Sequence, residues 1–207
     1  MSEVLLHYTR AGKVEDIHRG DIVAVDTEGN IVDFVGDAHK KMFWRSAAKP
    51  FQALPFVKRG GLDQFSISPK ELAILVSSHS GESMHVELIE MVLGKLGLTT
   101  DVLDCGPARP MSGKAAKELT ENRQKPQAVH NACSGKHSGM LALCRMLGVA
   151  VEGYTKPAHE VQQIMHKAVA MAADVPSDQL EIGIDGCGVP VFYLPLYNMA
   201  LAYARLA

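Results

Sequence analysis

The chain has 207 residues, with 21 lysines and arginines against 23 aspartates and glutamates and a formal net charge of −2. That length suits a single domain with a substantial core, here taken as residues 1–207, and the balanced charge leaves no basic face for nucleic acid or an anionic membrane. The opening Met1-Ser2-Glu3 is acidic, and Val4-Leu5-Leu6 is too short for a signal peptide or a membrane span, so a cytoplasmic protein is expected. Four scattered cysteines, Cys105, Cys133, Cys144 and Cys187, do not form the framework of a disulfide-stapled secreted domain. They read as reduced thiols or metal ligands.

In chain order, Val4 to Arg10, Asp21 to Asp26 and Ile31 to Val35 are rich in β-branched and apolar residues, and Thr27-Glu28-Gly29-Asn30 has the composition of a hairpin turn. Together they predict one small antiparallel sheet. After Trp44 the pattern becomes helical. Ser68-Pro69-Lys70-Glu71 combines an N-cap serine, a first-turn proline and a glutamate at the third position, predicting a helix through Ala73 to Val76. Ser77 to Glu82 reads as a loop. Val86, Ile89, Val92, Leu93 and Leu96 recur at helical spacing, and Gly97 ends that run.

Cys105 to Pro110 holds two prolines and must be irregular. Helices are predicted near Lys114 to Asn122, over Lys136 to Leu147 with Gly148 beyond, and over His159 to Ala172 with Pro157 ahead. Leu180 to Ile184 predicts a buried strand that empties into the tight turn Asp185 to Pro190. A helix is then expected from about Leu194 to the terminus. Leu201 to Ala207 stay helical in character without a capping signal, so the chain is expected to be cut short.

Three segments carry chemistry. In Arg45-Ser46-Ala47-Ala48-Lys49-Pro50-Phe51-Gln52, positions three apart share a helix face, which puts the Lys49 amine within reach of the Ser46 hydroxyl. A serine becomes a nucleophile when a base takes its proton, and an amine is a base only when uncharged. Burial near Phe51 and Leu54, or the cation Arg45, would depress the lysine pKa as required. The alternative is a helix start with a solvated lysine. Ser77-Ser78-His79-Ser80-Gly81-Glu82 is a polar loop whose side chains either face a ligand or cap the next helix.

In His130 to Met140, Ser134 and Gly135 begin a helix whose free N–H groups suit a carboxylate or an oxyanion. Cys133 and Lys136 share one face of that turn, and Cys187 stands in Asp185-Gly186-Cys187-Gly188. Two thiolates and a nitrogen can hold Zn²⁺ with a position left for water, although ordinary buried thiols are the alternative. An amine ligand must first lose its proton to the metal.

Together these segments and Asp185-Gly186-Cys187-Gly188-Val189-Pro190 resemble the asparaginase II family of the Rhizobium type, which is unrelated to the threonine-dependent bacterial asparaginases. The resemblance spans essentially the whole chain and the N-terminal part of the family's usual length. It implies an α/β fold like that of serine β-lactamases and glutaminases, with an antiparallel sheet packed with helices and lacking the C-terminal part. It also implies hydrolysis of L-asparagine to L-aspartate and ammonia by a homodimer.

Carried over residue by residue, the resemblance implies catalytic Ser46, Lys49 and Ser78, and zinc ligands Cys133, Lys136 and Cys187. Arg45, Gly135, His137 and Asp185 fall around the substrate, with Arg45 suited to its α-carboxylate and Asp185 to its amino group or a metal-bound water. Zinc is expected to organise loops rather than supply the nucleophile. The lysine of the family's second serine–lysine pair falls outside this chain, so Ser78 is expected to lack a base of its own. A penicillin-binding acylase is disfavoured because neither Ser-Asp-Asn nor Lys-Thr-Gly occurs. The remaining rival is a non-catalytic remnant that binds zinc or an amino acid.

Overall fold

Strand β1 (Glu3–Arg10) turns back onto β2 (Lys13–Gly20) through Ala11 and Gly12, whose φ angles of 50° and 74° are both positive. Positive φ at both loop residues matches the twist of a tight two-residue hairpin, and Arg10 accordingly pairs with Lys13. In this computed structural model, which describes residues 2–206, β3 (Ile22–Val25) pairs with β4 (Ile31–Val35) as the Thr27–Asn30 turn predicts. The Asp26 carboxylate closes that turn by accepting from the Asn30 backbone and side-chain amides at 2.7 and 2.9 Å.

The single sheet expected here is instead two separate ribbons, β1–β2 and β3–β4. Strand β2 escapes the sequence pattern for a physical reason. Almost every residue of β1 and β2 is exposed, so no buried face imposes alternation on Lys13-Val14-Glu15-Asp16-Ile17.

Strand β5 (Lys41–Phe43) leads into a 3-10 turn, Arg45–Ala48, which continues as α1 (Lys49–Lys58). Then come α2 (Gly61–Gln64), α3 (Pro69–Leu75), α4 (Ser83–Lys95), α5 (Gly113–Glu121), α6 (Ser134–Leu147) and α7 (Glu160–Ala172). The expected capping box at α3 is present, with Ser68 Oγ accepting from Glu71 N–H and the Glu71 carboxylate accepting from Ser68 N–H. Cys105 to Pro110 is irregular, and Gly97 and Gly148 follow α4 and α6 with φ of 65° and 68°.

The chain ends in β6 (Glu181–Ile184), β7 (Pro190–Pro195) and α8 (Leu196–Leu206), with β7 between β5 and β6 in a three-stranded sheet. Two expectations are corrected here. β6 is largely exposed rather than buried, and the segment around Leu194 is a strand, with the helix starting only at Leu196. Pro190-Val191-Phe192-Tyr193-Leu194-Pro195 is mostly buried, and a continuous apolar run of that length does not distinguish strand from helix by periodicity.

The chain divides into two compact units. One comprises the described residues up to Trp44, Ala170–Ile182 and those from Phe192 onward, where α8 packs on β3 and Tyr197 Oη donates to the Gly29 carbonyl at 2.8 Å. The other comprises Arg45–Val169 and Gly183–Val191. Its core centres on α6, whose Met140, Leu141, Ala142, Leu143 and Cys144 are fully buried among α1, α3 and α4. Among the described residues no helix is long and apolar enough to cross a membrane.

The approach of α6 to the end of α3 is so close that a Cβ on Gly135 would collide with the Ile74 carbonyl oxygen. Gly139, on the same helix, meets only an ordinary contact at 3.7 Å from Leu75. Gly135→Ala is therefore expected to destabilise the protein by about 1–3 kcal/mol. Gly139→Ala should be neutral or stabilising, by up to about 1 kcal/mol. Denaturant melts of both variants check this, and equal effects would contradict the packing described.

Candidate active site and metal centre

All the candidate residues named from the sequence lie in the unit built around α6. Lys49, at the head of α1, is 1% exposed, and its Nζ lies 2.7 Å from the Ser77 carbonyl, 2.7 Å from Ser78 Oγ and 3.5 Å from the Ala132 carbonyl. Burial is the largest influence on this amine and pushes its pKa below the ordinary lysine value. Lys136 pushes the same way, while Cys133, Cys187 and Asp185 oppose.

An uncharged amine has two hydrogens and one lone pair. It can donate to both carbonyls and still accept the Ser78 hydroxyl hydrogen. The alcohol in direct contact with Lys49 is thus Ser78, which the sequence left without a base. Ser46, three residues ahead in the 3-10 turn, is exposed, and among the described residues no hydrogen bond joins it to Lys49.

Arg45 precedes Ser46 with a φ of 48°, a conformation unusual for a residue with a side chain. Its guanidinium reaches Asp185 at 3.0 Å while remaining two-thirds exposed (67%). The other oxygen of Asp185 lies 3.7 Å from Lys136 Nζ, which in turn is 3.2 Å from Cys187 Sγ. Ligand atoms of Cys133, Asp185 and Cys187 all fall within 4.8 Å of one another. Cys133 is held below the ordinary thiol value, first by a hydrogen bond from Cys187 and then by Lys136 and Lys49, against the effect of burial. Cys187 is raised correspondingly, because its proton is shared with that neighbour. Two thiols, an amine and a carboxylate so gathered form a donor set whose chemistry fits Zn²⁺.

Several features differ from the sequence reading or were not named by it. The Ser134 N–H is not free for an oxyanion, because the Asn131 carbonyl accepts it at 2.9 Å. Gly135 is buried in the contact with Ile74. His79, in the Ser77–Glu82 loop, is buried and joins that loop to α6. Its Nδ1 accepts from Gly81 N–H at 3.1 Å, so its Nε2–H donates to Ser134 Oγ at 2.8 Å. Burial lowers its pKa to about 4 and keeps the ring neutral.

His137, which the resemblance placed near the substrate, is fully buried, with Nδ1 2.6 Å from Tyr154 Oη. Asn131 fixes the approach to Cys133: its Oδ1 accepts from Cys133 N–H at 2.9 Å and its Nδ2 donates to the Cys105 and Gly106 carbonyls. Asn131 lies within the His130–Met140 segment. Tyr154, by contrast, has no local signal, because its partners are remote in sequence. Cys105 and Cys144 are buried free thiols, as expected, with pKa values raised by burial to about 12 and about 11.

A comparison with curated proteins gives no match. The model of the family described as L-asparaginase II matches residues 6–207, nearly the whole chain, and includes every residue gathered around Lys49 and the two thiols. The chain therefore belongs to the L-asparaginase II family.

Proposed function

We propose that this protein hydrolyses the side-chain amide of L-asparagine through a serine acyl-enzyme, with Lys49 as base, Ser46 as nucleophile and Ser78 as the proton relay between them. The observation that carries the reading is the buried Lys49 amine in direct contact with the Ser78 hydroxyl. Family membership supports amide hydrolysis of asparagine. As Ser46 Oγ attacks the amide carbon, its proton passes to Ser78 while the Ser78 proton passes to Lys49 Nζ. Collapse of the tetrahedral adduct expels ammonia, which takes the proton back from Lys49. Water then hydrolyses the ester by the same route in reverse and releases aspartate.

Arg45, largely exposed and anchored by Asp185, supplies a fork for the substrate α-carboxylate. Asp185 offers the α-amino group a carboxylate. A second reading makes Ser78 itself the nucleophile, and its direct contact with Lys49 favours it. A serine and a lysine at the head of a helix packed on the core helix α6 also support a serine β-lactamase-like arrangement.

Zinc belongs to the same proposal. Cys133, Lys136 and Cys187 would hold it with Asp185 alongside, the ligand set that the Rhizobium-type resemblance implies and that the clustered donor atoms support. There the ion would supply a Lewis-acidic centre, held by Cys133 in the turn before α6, Lys136 in the first turn of α6 and Cys187 in the turn between β6 and β7.

Rapid denaturation during turnover followed by mass spectrometry of peptides separates the two serines. An acyl adduct on the peptide containing Ser46 is expected, an adduct on Ser78 would establish the second reading, and full ammonia release by the Ser46→Ala, Ser78→Ala double variant would refute serine catalysis. Because the base must be uncharged, kcat/KM should rise with pH through the Lys49 pKa, a limb lying below the ordinary lysine range. Lys49→Met should lower kcat by about 10²–10⁴ and abolish that limb. Asparagine binding without ammonia release by the wild-type chain would favour a non-catalytic remnant. Metal analysis should find zinc in the wild-type protein and less in Cys187→Ser; wild-type protein that takes up none would contradict the metal assignment.

A further inference from the structure

We propose that Tyr154 is a positioning residue of this site: its phenol, held by the Asp104 N–H, fixes the His137 ring with Nδ1 bare and the proton on Nε2. The argument is one of donors and acceptors. Tyr154 is 1% exposed, and its Oη accepts the Asp104 backbone N–H at 2.9 Å. A phenol has a single hydrogen to give. Among the described residues the other group at hydrogen-bond distance is His137 Nδ1 at 2.6 Å, so that nitrogen accepts and carries no proton. The remaining ring nitrogen, Nε2, must bear the hydrogen in the neutral ring.

That Nε2 is buried and has no hydrogen-bond partner among the described residues. His137 directly follows Lys136 on α6, and the Lys136 Nζ lies 3.2 Å from Cys187 Sγ, so the ring adjoins the donor cluster along the helix. Gln162 Nε2 donates to the Tyr154 carbonyl at 2.9 Å, which anchors the tyrosine backbone as Asp104 anchors its hydroxyl. A ring held in this way offers one donor, Nε2–H, while Tyr154 keeps the Nδ1 lone pair engaged. Fixing the tautomer and aim of a group next to a ligand is a known determinant of metal affinity. The effect on zinc rests on the metal assignment proposed above, whereas the tautomer itself does not.

The test is the two-bond ¹H–¹⁵N spectrum of the ¹⁵N-histidine-labelled protein at neutral pH, with and without added zinc. The His137 signal is identified by its loss in His137→Gln and, independently of that variant, by through-space contact with the Tyr154 ring. The wild type is expected to show the proton on Nε2 and a bare Nδ1, and Tyr154→Phe a mixture of tautomers with the other eight of the nine histidines unchanged. A wild-type proton on Nδ1, or on both nitrogens, overturns the inference. So does a tautomer unaltered in folded Tyr154→Phe. Zinc affinity measured against a chelator should fall about 10-fold or more in Tyr154→Phe. Failure of the metal assignment would instead show as no uptake in any variant, whatever the tautomer.

Discussion

Lys49 carries its amine into a place where water scarcely reaches it, between the Ser77 and Ala132 carbonyls and the Ser78 hydroxyl. An ammonium taken out of water loses several kilocalories of hydration, at least in part recovered from acceptors around it. The two carbonyls satisfy two hydrogens in either charge state. The third position is the adjustable one: a charged amine donates to Ser78, an uncharged amine accepts from it. Burial and Lys136 tilt the balance toward the uncharged form. The same three contacts tie α1 to the loop after α3 and to the turn before α6.

Two amines, Lys49 and Lys136, and the side chains of Cys133, Cys187 and Asp185 influence one another across this region. Lys136 disfavours charge on Lys49, while the thiols and the carboxylate favour it. A charge change at the thiols therefore alters the basicity of the amine. Arg45 stands at the margin of this group, paired with Asp185 yet mostly in water, which leaves its guanidinium open to a small anionic ligand. The glycine at 135 contributes in a different way. Without a side chain there, α6 approaches the Ile74 carbonyl closely enough to put Lys136 and His137 where they are.

Much of this was legible in the sequence because the signals are local. The Ser68 capping box, the glycines after α4 and α6, and the Asp26–Asn30 turn each depend on residues a few positions apart, and each is found. Clustering of Cys133 and Lys136 with Cys187 was expected and is present. Misreadings arose where local pattern carries no information. β2 has no buried face to imprint a period, and β7 is an apolar run that helix and strand would share. Contact of Lys49 with Ser78, and of Tyr154 with His137, joins residues separated by 29 and 17 positions. No spacing rule reaches across such distances, and the spacing that was available favoured Ser46.

The most direct measurement is an NMR titration of the lysine side chains in ¹³Cε-labelled protein, with Lys49 identified by the signal missing from Lys49→Met. The expected result is one lysine that loses its proton below the ordinary lysine value and whose signal shifts on Ser78→Ala. A Lys49 amine that titrates with the surface lysines, or is indifferent to Ser78, would contradict a buried base in contact with an alcohol.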